Sequence, residues 1–168
     1  MKRILLLHLL VLAFLGVPGL LWSSDVSNGE IERKVADLVA GQQVTVVHFW
    51  APWCSNCESE MRPDGWAKFV RENPTVKVVF VAIWHEGQNA TRKLQNSGLE
   101  GLENFLGLTH PNPSNARGEK LEQFLGLPLQ WVPSTWVYRE GKMRYALNYG
   151  EIRFEMLQQM VKDAGEYY

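Results

Sequence analysis

A predicted strand that runs straight into a closely spaced pair of cysteines restricts the fold of this chain more than any other feature. Residues Val44 to Trp50 are mostly β-branched or aromatic, which is typical of a buried strand. Cys54 and Cys57, the chain's two cysteines, follow at once. A helical pattern over residues 55–70 and a second apolar run, Val76 to Trp84, complete a strand–helix–strand unit. Near-continuous apolar strands suit a parallel sheet covered on both faces, so we predict a right-handed βαβ unit in an α/β fold.

Further helices and strands are indicated on both sides of this unit. Pro63 interrupts the helix after the cysteines, and a proline inside a helix kinks it or divides it. The run Leu102 to Leu108 fits a strand or a helix equally well. Glu140-Gly141 precedes a strand-like run, Met143 to Tyr149, and predicts a β-hairpin. The remaining predictions are helices at Glu30 to Ala40, Ala90 to Asn96, Glu119 to Leu125 and Phe154 to Ala164, and a loop at His110 to Gly118.

The N-terminal residues have the pattern of an export signal. Two basic residues precede a run from Ile4 to Gly16 that is apolar apart from His8, and Val17-Pro18-Gly19 ends the run. We expect either cleavage after Gly19 or retention as a membrane anchor, because Ile4 to Trp22 is nearly long enough to span a bilayer. The predicted organisation is a signal peptide or membrane anchor (1–22), a linker (23–29) and one domain (30–168).

Composition sets the size of the domain and argues against one class of partner. The chain has 168 residues, 46% of them hydrophobic, and a net charge of −1. This length fits one globular domain with a genuine core. The near-neutral charge balance, without a basic stripe, predicts no binding to nucleic acid. We expect no bound cofactor.

The spacing of the cysteines favours redox chemistry over a structural role. A bond between Cys54 and Cys57 closes a very small loop and constrains the unfolded chain little, so it is a weak staple. At the start of a helix, unpaired N–H groups would stabilise a Cys54 thiolate, and Cys57, one turn later, could resolve a mixed disulfide. A zinc site would need two further ligands from His48, His85 or His110, whose spacing is not typical of zinc sites, and we therefore assign no metal.

The residues around the cysteines resemble a known family. Phe49 to Cys57, FWAPWCSNC, resembles the thioredoxin active-site stretch, and Val132-Pro133-Ser134-Thr135 is similar to the segment that faces the dithiol in the same proteins. The resemblance covers about residues 44–164. It implies a thioredoxin fold, with a central mixed β-sheet flanked by helices. It also implies that Pro133 is cis and lies against the dithiol, and that the backbone at Val132 pairs with the substrate chain.

A narrower resemblance concerns the TlpA/ResA/CcmG group of extracytoplasmic, often membrane-tethered thioredoxin-like proteins. Three features match that group: export, a single CxxC, and Glu60 three residues after Cys57. In the group the proline usually follows the methionine directly, whereas here Arg62 separates Met61 from Pro63. The resemblance implies a thiol–disulfide oxidoreductase of the periplasm or cell envelope that reduces disulfides. Its partners would be disulfide- or dithiol-containing proteins and a membrane or periplasmic redox donor, with a possible membrane tether.

The group that removes the proton from Cys57 is left open by the sequence. Cytoplasmic thioredoxins have a buried Asp six residues before the first cysteine, where this chain has His48. We expect His48 or Glu60 to act as the general base for Cys57, and Glu58 to face solvent. Among the tryptophans, the one expected to contact substrate is Trp53, and those expected in the core are Trp84 and Trp131.

Three alternatives remain open at this stage. The Ser55-Asn56 dipeptide does not reveal the reduction potential, so the enzyme could instead be a periplasmic disulfide oxidase or isomerase. A copper-binding chaperone of thioredoxin-like fold would use the two cysteines with His110 or His85, because thiolates suit Cu(I). A non-catalytic adaptor would use the fold for protein contacts alone.

Overall fold

The centre of the structure is a mixed five-stranded sheet with the cysteine pair at the end of its middle strand. The computed structural model describes residues 28–148 and 150–166. In chain order the strands are β1 (Thr45–Trp50), β2 (Lys77–Ala82), β3 (Phe105–Thr109), β4 (Gln123–Phe124), β5 (Leu127–Pro128), β6 (Ser134–Arg139) and β7 (Lys142–Leu147). The sheet order is β3-β2-β1-β6-β7. Strands β1, β2 and β3 are parallel, β6 is antiparallel to β1 and β7, and β4 and β5 form a separate hairpin.

Helices cover both faces of the sheet. Within the described residues they are α1 (Asn28–Val39), α2 (Ser55–Glu60), α3 (Trp66–Glu72), α4 (Ala90–Gln95) and α5 (Phe154–Gly165). Helices α3, α4 and α5 contribute to the core on one face, and α1 and the β4–β5 hairpin contribute to the core on the other. The α/β architecture and the mixed sheet predicted from the sequence are therefore confirmed.

Strand β1 is buried along its whole length because its two faces belong to two different cores. Val46 and Trp50 belong to the cluster on the α3 and α5 side, whereas Val47 and Phe49 belong to the cluster on the α1 side. This double burial explains the near-continuous apolar run in the sequence. His48 faces the α3 side, where its ring centroid lies 4.6 Å from that of Trp66.

The predicted helix after the cysteines is divided in two, as Pro63 indicated. Helix α2 ends at Glu60, a turn follows in which the Gly65 N–H donates to the Arg62 carbonyl at 2.8 Å, and α3 begins at Trp66. A Cβ atom added at Gly65 would lie 2.0 Å from the carbonyl oxygen of Glu60, so only glycine fits at this point. The break lets α2 present the cysteines while α3 packs against the sheet.

The structure resolves one ambiguous local prediction and overturns another. The ambiguous run Leu102 to Leu108 contains the start of a strand, β3. The predicted helix at Glu119 to Leu125 is wrong, because this segment turns and then enters the β4–β5 hairpin. Leu125 and Gly126 have φ values of 48° and 75°, and positive φ at both central residues is the geometry of a tight two-residue hairpin turn, not of a helix.

The N-terminal boundary of the domain differs slightly from the prediction. Helix α1 begins at Asn28, so the last two residues of the predicted linker (23–29) belong to a helix. The predicted signal or anchor, residues 1–22, lies outside the described residues. In the described part of the chain, no helix combines the length and the apolar character needed to cross a membrane.

Candidate redox site

The two cysteines form a disulfide at the first turn of α2. Cys54 is the residue that caps the N-terminus of α2, and its Sγ accepts a hydrogen bond from the Cys57 N–H at 3.2 Å. Cys54 keeps 7% of its surface exposed, whereas Cys57 keeps 1%. The two sulfurs are therefore not equivalent. The Cys54 sulfur is nearer to solvent and has a backbone N–H to stabilise negative charge, and the Cys57 sulfur lies behind it.

The segment at Val132 and Pro133 faces Cys54, where the resemblance places it. The peptide bond between them is cis, and the Val132 carbonyl oxygen lies 3.7 Å from Cys54 Sγ. Trp53 is 40% exposed, and its indole N–H donates to the Trp84 carbonyl oxygen. The exposed edge of the dithiol thus has a backbone carbonyl and an aromatic ring beside it.

The predictions for the other two tryptophans had different outcomes. Trp84 is buried, 3% exposed, with its indole N–H donated to the Leu121 carbonyl at 2.9 Å, which confirms a core position. Trp131 is 55% exposed, so the prediction of a core position is wrong. The Ser134 hydroxyl donates to the Trp131 carbonyl at 2.7 Å and fixes its backbone just before the cis bond, which leaves the ring outside the sheet.

His48 and Glu60, predicted as alternative bases, are neighbours in the structure. Glu60 Oε2 lies 3.3 Å from His48 Nε2, within ion-pair distance but without hydrogen-bond alignment. Glu60 Oε1 accepts the Ile152 N–H at 2.6 Å, and Oε2 accepts the Trp66 indole N–H at 3.0 Å. On its other side, His48 Nδ1 lies 2.9 Å from the Thr135 hydroxyl oxygen. The pair thus belongs to one connected buried polar network.

Helical spacing places Glu60 on the same side of α2 as Cys57. The two residues are three apart, and both are buried in a helix whose other flank is exposed at Glu58. The prediction that Glu58 faces solvent is confirmed. Glu60 and Cys57 therefore both lie on the inward side of α2.

Burial shifts the two titratable groups in opposite directions. Burial lowers the pKa of His48 from 6.5 to about 3, so the imidazole is neutral at neutral pH. Burial raises the pKa of Glu60 to about 7, against the opposing effect of the hydrogen bonds from Trp66 and Ile152, which favour the carboxylate. A neighbouring carboxylate, Glu151, raises it further. Near neutral pH the carboxyl group can therefore take or release a proton at little cost.

The residues that hold this network were not predicted as functional. Thr135 lies opposite His48 in the antiparallel β1–β6 register, and Trp66 reaches Glu60 across the break after α2. No sequence spacing predicts either contact, because one depends on strand pairing and the other on the path of the chain around Pro63. The backbone N–H of Ile152 carries no signal in a sequence at all.

The histidines proposed for copper or zinc are engaged elsewhere. His110 Nε2 lies 3.1 Å from Glu32 Oε1, and His110 Nδ1 accepts the Asn112 N–H at 3.1 Å, so both ring nitrogens are occupied. His85 Nε2 lies 3.0 Å from the His110 carbonyl oxygen. Among the described residues, no group of three or more His, Cys, Asp or Glu side chains is arranged to hold a metal ion.

Comparison with known proteins assigns the family. A family model described as a thioredoxin-like domain matches residues 31–165. The chain belongs to the thioredoxin-like family. No curated protein matches the chain.

Several solved structures share the thioredoxin-like fold. One is a secreted disulfide oxidoreductase from Mycobacterium tuberculosis, homologous to E. coli DsbE, with 19% identity over 75% of this chain and 85% of that chain and a TM-score of 0.51. A DsbF homologue from Corynebacterium diphtheriae has 19% identity over 77% and 75% of the two chains and a TM-score of 0.56. A thiol:disulfide interchange protein from Chlorobium tepidum has 17% identity over 77% and 85% and a TM-score of 0.55.

This thioredoxin-like protein is a thiol–disulfide oxidoreductase. Its substrates are proteins that contain disulfides, and it carries a CxxC pair, Cys54 and Cys57. The family and the class of enzyme predicted from the sequence are confirmed.

Proposed function

We propose that this thioredoxin-like protein is an exported reductase of disulfides in extracytoplasmic proteins. In the reduced enzyme, the Cys54 thiolate attacks one sulfur of a substrate disulfide, and the other substrate sulfur leaves as a thiolate. The Cys57 thiolate then attacks Cys54 Sγ and releases the second substrate sulfur. The enzyme disulfide forms, the substrate gains two electrons, and the two substrate thiolates take up protons.

The observation that carries this proposal is the difference in exposure and contacts between Cys54 and Cys57. Cys54 is the more exposed cysteine, accepts the Cys57 N–H, and faces the Val132 carbonyl at 3.7 Å. A substrate cysteine that approaches Cys54 therefore meets the backbone carbonyl of Val132, and Trp53, next to Cys54 in the chain, is exposed. Cys57 is almost completely buried, which suits a thiol that reacts only with the mixed disulfide next to it.

Glu60 and His48 provide a route for the proton of Cys57. The carboxyl group of Glu60 has a pKa near 7 and lies on the same inward side of α2 as Cys57. When Glu60 accepts a proton, the N–H donors of Trp66 and Ile152 already bond one carboxyl oxygen each, and the neutral His48 ring lies 3.3 Å from Oε2. Glu60 thus acts as the general base for Cys57, and the neutral His48 ring packs beside its carboxyl group.

The sequence of residues 1–22 supports export, with either cleavage of a signal peptide or retention as a membrane anchor. A signal peptide or membrane anchor would place the domain of residues 30–168 in the periplasm or cell envelope, where disulfides persist. The secreted relative from M. tuberculosis supports this location. The oxidised enzyme then needs a membrane or periplasmic donor of two electrons to return it to the dithiol.

The reduction potential of the full chain in glutathione buffers tests the direction of the reaction. A value of about −270 mV supports a reductase, and a value of about −120 mV would indicate a disulfide oxidase instead. Insulin reduction with a dithiol donor tests the role of the cysteines. The wild-type chain should accelerate insulin precipitation and the Cys54→Ser variant should not. If both are inactive, the adaptor alternative is favoured.

A further inference from the structure

A second glutamate is joined to the end of α2 beside Glu60. Glu151 belongs to the segment that leads from β7 into α5, and it is exposed whereas Glu60 is buried. The Ser59 hydroxyl of α2 donates to Glu151 Oε1. The residue after Glu151 is Ile152, whose backbone N–H donates to Glu60 Oε1 at 2.6 Å. Two neighbouring residues of this segment are therefore bonded to two neighbouring residues of α2.

Glu60 and Glu151 also line one pocket, which lies between the break after α2 and the start of α5 and has a volume of about 410 Å³. The other charged residues that line it are Arg62, Asp64, Lys68, Glu72, Arg153 and Glu155. On the side of the sheet, the titratable group that faces Glu60 is His48, which burial keeps neutral at neutral pH. Of all these groups, the one whose charge contributes to the raised pKa of Glu60 is Glu151.

The charge of Glu151 affects how readily Glu60 takes up a proton. A negative charge beside a carboxyl group favours the protonated form, because ionisation would place two negative charges close together. Glu60 is therefore a stronger base with Glu151 beside it than without it. The effect depends on where the Glu151 carboxylate is held, since water around a freely moving side chain weakens the interaction between the two charges. The hydrogen bond from Ser59 holds the carboxylate in place.

We propose that the negative charge of Glu151 strengthens Glu60 as the acceptor of the Cys57 proton in the second step of disulfide exchange. The inference rests on the proposed function, because it concerns the step in which Cys57 attacks Cys54 Sγ. In this step the Cys57 S–H bond breaks and its proton moves to Glu60. The bond between Cys57 and Cys54 forms, and the substrate sulfur leaves as a thiolate with the electron pair of the broken disulfide. Glu151 is a positioning residue, since it acts through Glu60.

The rate constant of this second step, measured against pH, tests the proposal. Reduced full-length enzyme is mixed with excess oxidised glutathione and quenched with acid, and mass spectrometry counts the glutathione adduct on Cys54 and the enzyme disulfide that replaces it. One glutathione leaves as the adduct forms and the second leaves as Cys57 resolves it, so oxidised glutathione gains the two electrons of the dithiol. In the wild type the rate constant should rise as Glu60 loses its proton, with a midpoint at about pH 7.

Glu151→Gln removes the charge and keeps an oxygen that accepts the Ser59 hydroxyl. The midpoint should move to lower pH, because Glu60 ionises more easily. Since a weaker base accepts a proton less readily, the rate constant at about pH 8 should fall roughly twofold, whereas at about pH 6 it should rise roughly twofold. The two profiles therefore cross, whereas damage to the fold would lower the rate constant at every pH.

Three further variants separate charge from structure. Glu151→Asp keeps the charge and should restore most of the wild-type profile. Ser59→Ala frees the Glu151 side chain and should move the midpoint in the same direction as Glu151→Gln, by a smaller amount. Glu155→Gln removes another exposed carboxylate from the same pocket and is the matched control, which should keep the wild-type profile.

The salt dependence of the wild-type protein tests the charge without any substitution. Glu151 is exposed, so salt screens its charge. Raising the ionic strength from about 0.01 M to about 1 M should move the wild-type midpoint to lower pH, and this movement should be smaller in Glu151→Gln.

The possible outcomes separate this inference from the proposed function. The same midpoint in wild type and Glu151→Gln, or a Glu151→Gln rate constant lowered at every pH, would overturn the inference. A wild-type midpoint that salt does not move would also overturn it, and that measurement does not depend on the folding of any variant. All of these outcomes leave disulfide exchange itself intact. If the reduced wild-type enzyme does not react with oxidised glutathione at any pH, the proposed function fails, and the inference fails with it.

Discussion

Replacing Glu60 with Gln should change how the stability of the protein depends on pH. Burial raises the pKa of Glu60 from 4.5 in the unfolded chain to about 7 in the folded protein. Between these values the folded state binds more protons than the unfolded state, so this carboxyl group makes the wild-type protein less stable as pH rises. A tenfold change in proton affinity corresponds to about 1.4 kcal/mol, and the whole effect is therefore about 3 kcal/mol. The Glu60→Gln variant lacks this pH-dependent contribution, because Gln does not titrate.

His48 changes the free energy of unfolding with pH in the opposite direction and offsets the Glu60 contribution in the wild-type protein. Its pKa is lowered from 6.5 to about 3, so below pH 6.5 the unfolded chain takes up a proton that the folded protein does not. The folded state is then destabilised as pH falls. Between about pH 4.5 and 6.5 the contributions of Glu60 and His48 nearly cancel. In Glu60→Gln only the His48 contribution remains, and stability should rise steadily with pH.

Urea unfolding of the oxidised protein at a series of pH values measures this difference. The free energy of unfolding of Glu60→Gln minus that of wild type should rise by about 3 kcal/mol between pH 4.5 and 7.5. Glu58→Gln removes an exposed carboxylate from the same helix and is the matched control for the loss of one glutamate. A constant difference for Glu60→Gln would refute the raised pKa and, with it, the role of Glu60 as a base near neutral pH.

Three further substitutions test the surroundings of this network. Trp66→Phe removes the indole N–H that stabilises the carboxylate, so the pKa of Glu60, followed by carbon NMR, should rise above its wild-type value; a lower value would contradict the hydrogen-bond argument. Gly65→Ala forces a Cβ to 2.0 Å from the Glu60 carbonyl and should cost about 2 kcal/mol or more of unfolding free energy in a thermal melt, whereas an unchanged melt would show that the turn relaxes freely. Thr135→Val leaves His48 Nδ1 without its partner in the core and should cost about 1–3 kcal/mol in urea unfolding; no loss would mean that the hydroxyl does not contribute.

The architecture was largely predictable because the strands carry strong local signals. Strand β1 is apolar on both faces, the cysteines mark its end, and Pro63 marks the break between α2 and α3. The resemblance to thioredoxins then supplied the mixed sheet. The helix predicted at Glu119 to Leu125 failed because a short apolar segment has no clear period, and because the positive φ values of Leu125 and Gly126 favour a hairpin.

The sequence singled out the residues of the candidate site but not their contacts. Cys54 and Cys57 were evident from their spacing, and His48 and Glu60 were singled out as alternatives. The sequence could not show that these two groups lie 3.3 Å apart, since one belongs to a strand and the other to a helix end. Trp131 was predicted in the core because large aromatic residues are usually buried. Its exposure depends on the path of the backbone before Pro133, which no local pattern describes.

Trapping of the mixed disulfide tests most directly whether Cys54 is the attacking sulfur and Cys57 the resolving one. The Cys57→Ser full-length chain, reduced and mixed with a disulfide peptide, should accumulate a peptide adduct on Cys54 that mass spectrometry identifies. The Cys54→Ser chain should form an adduct far more slowly, because Cys57 is 1% exposed. Adducts formed at equal rates on the two cysteines, or formed only on Cys57, would contradict the account.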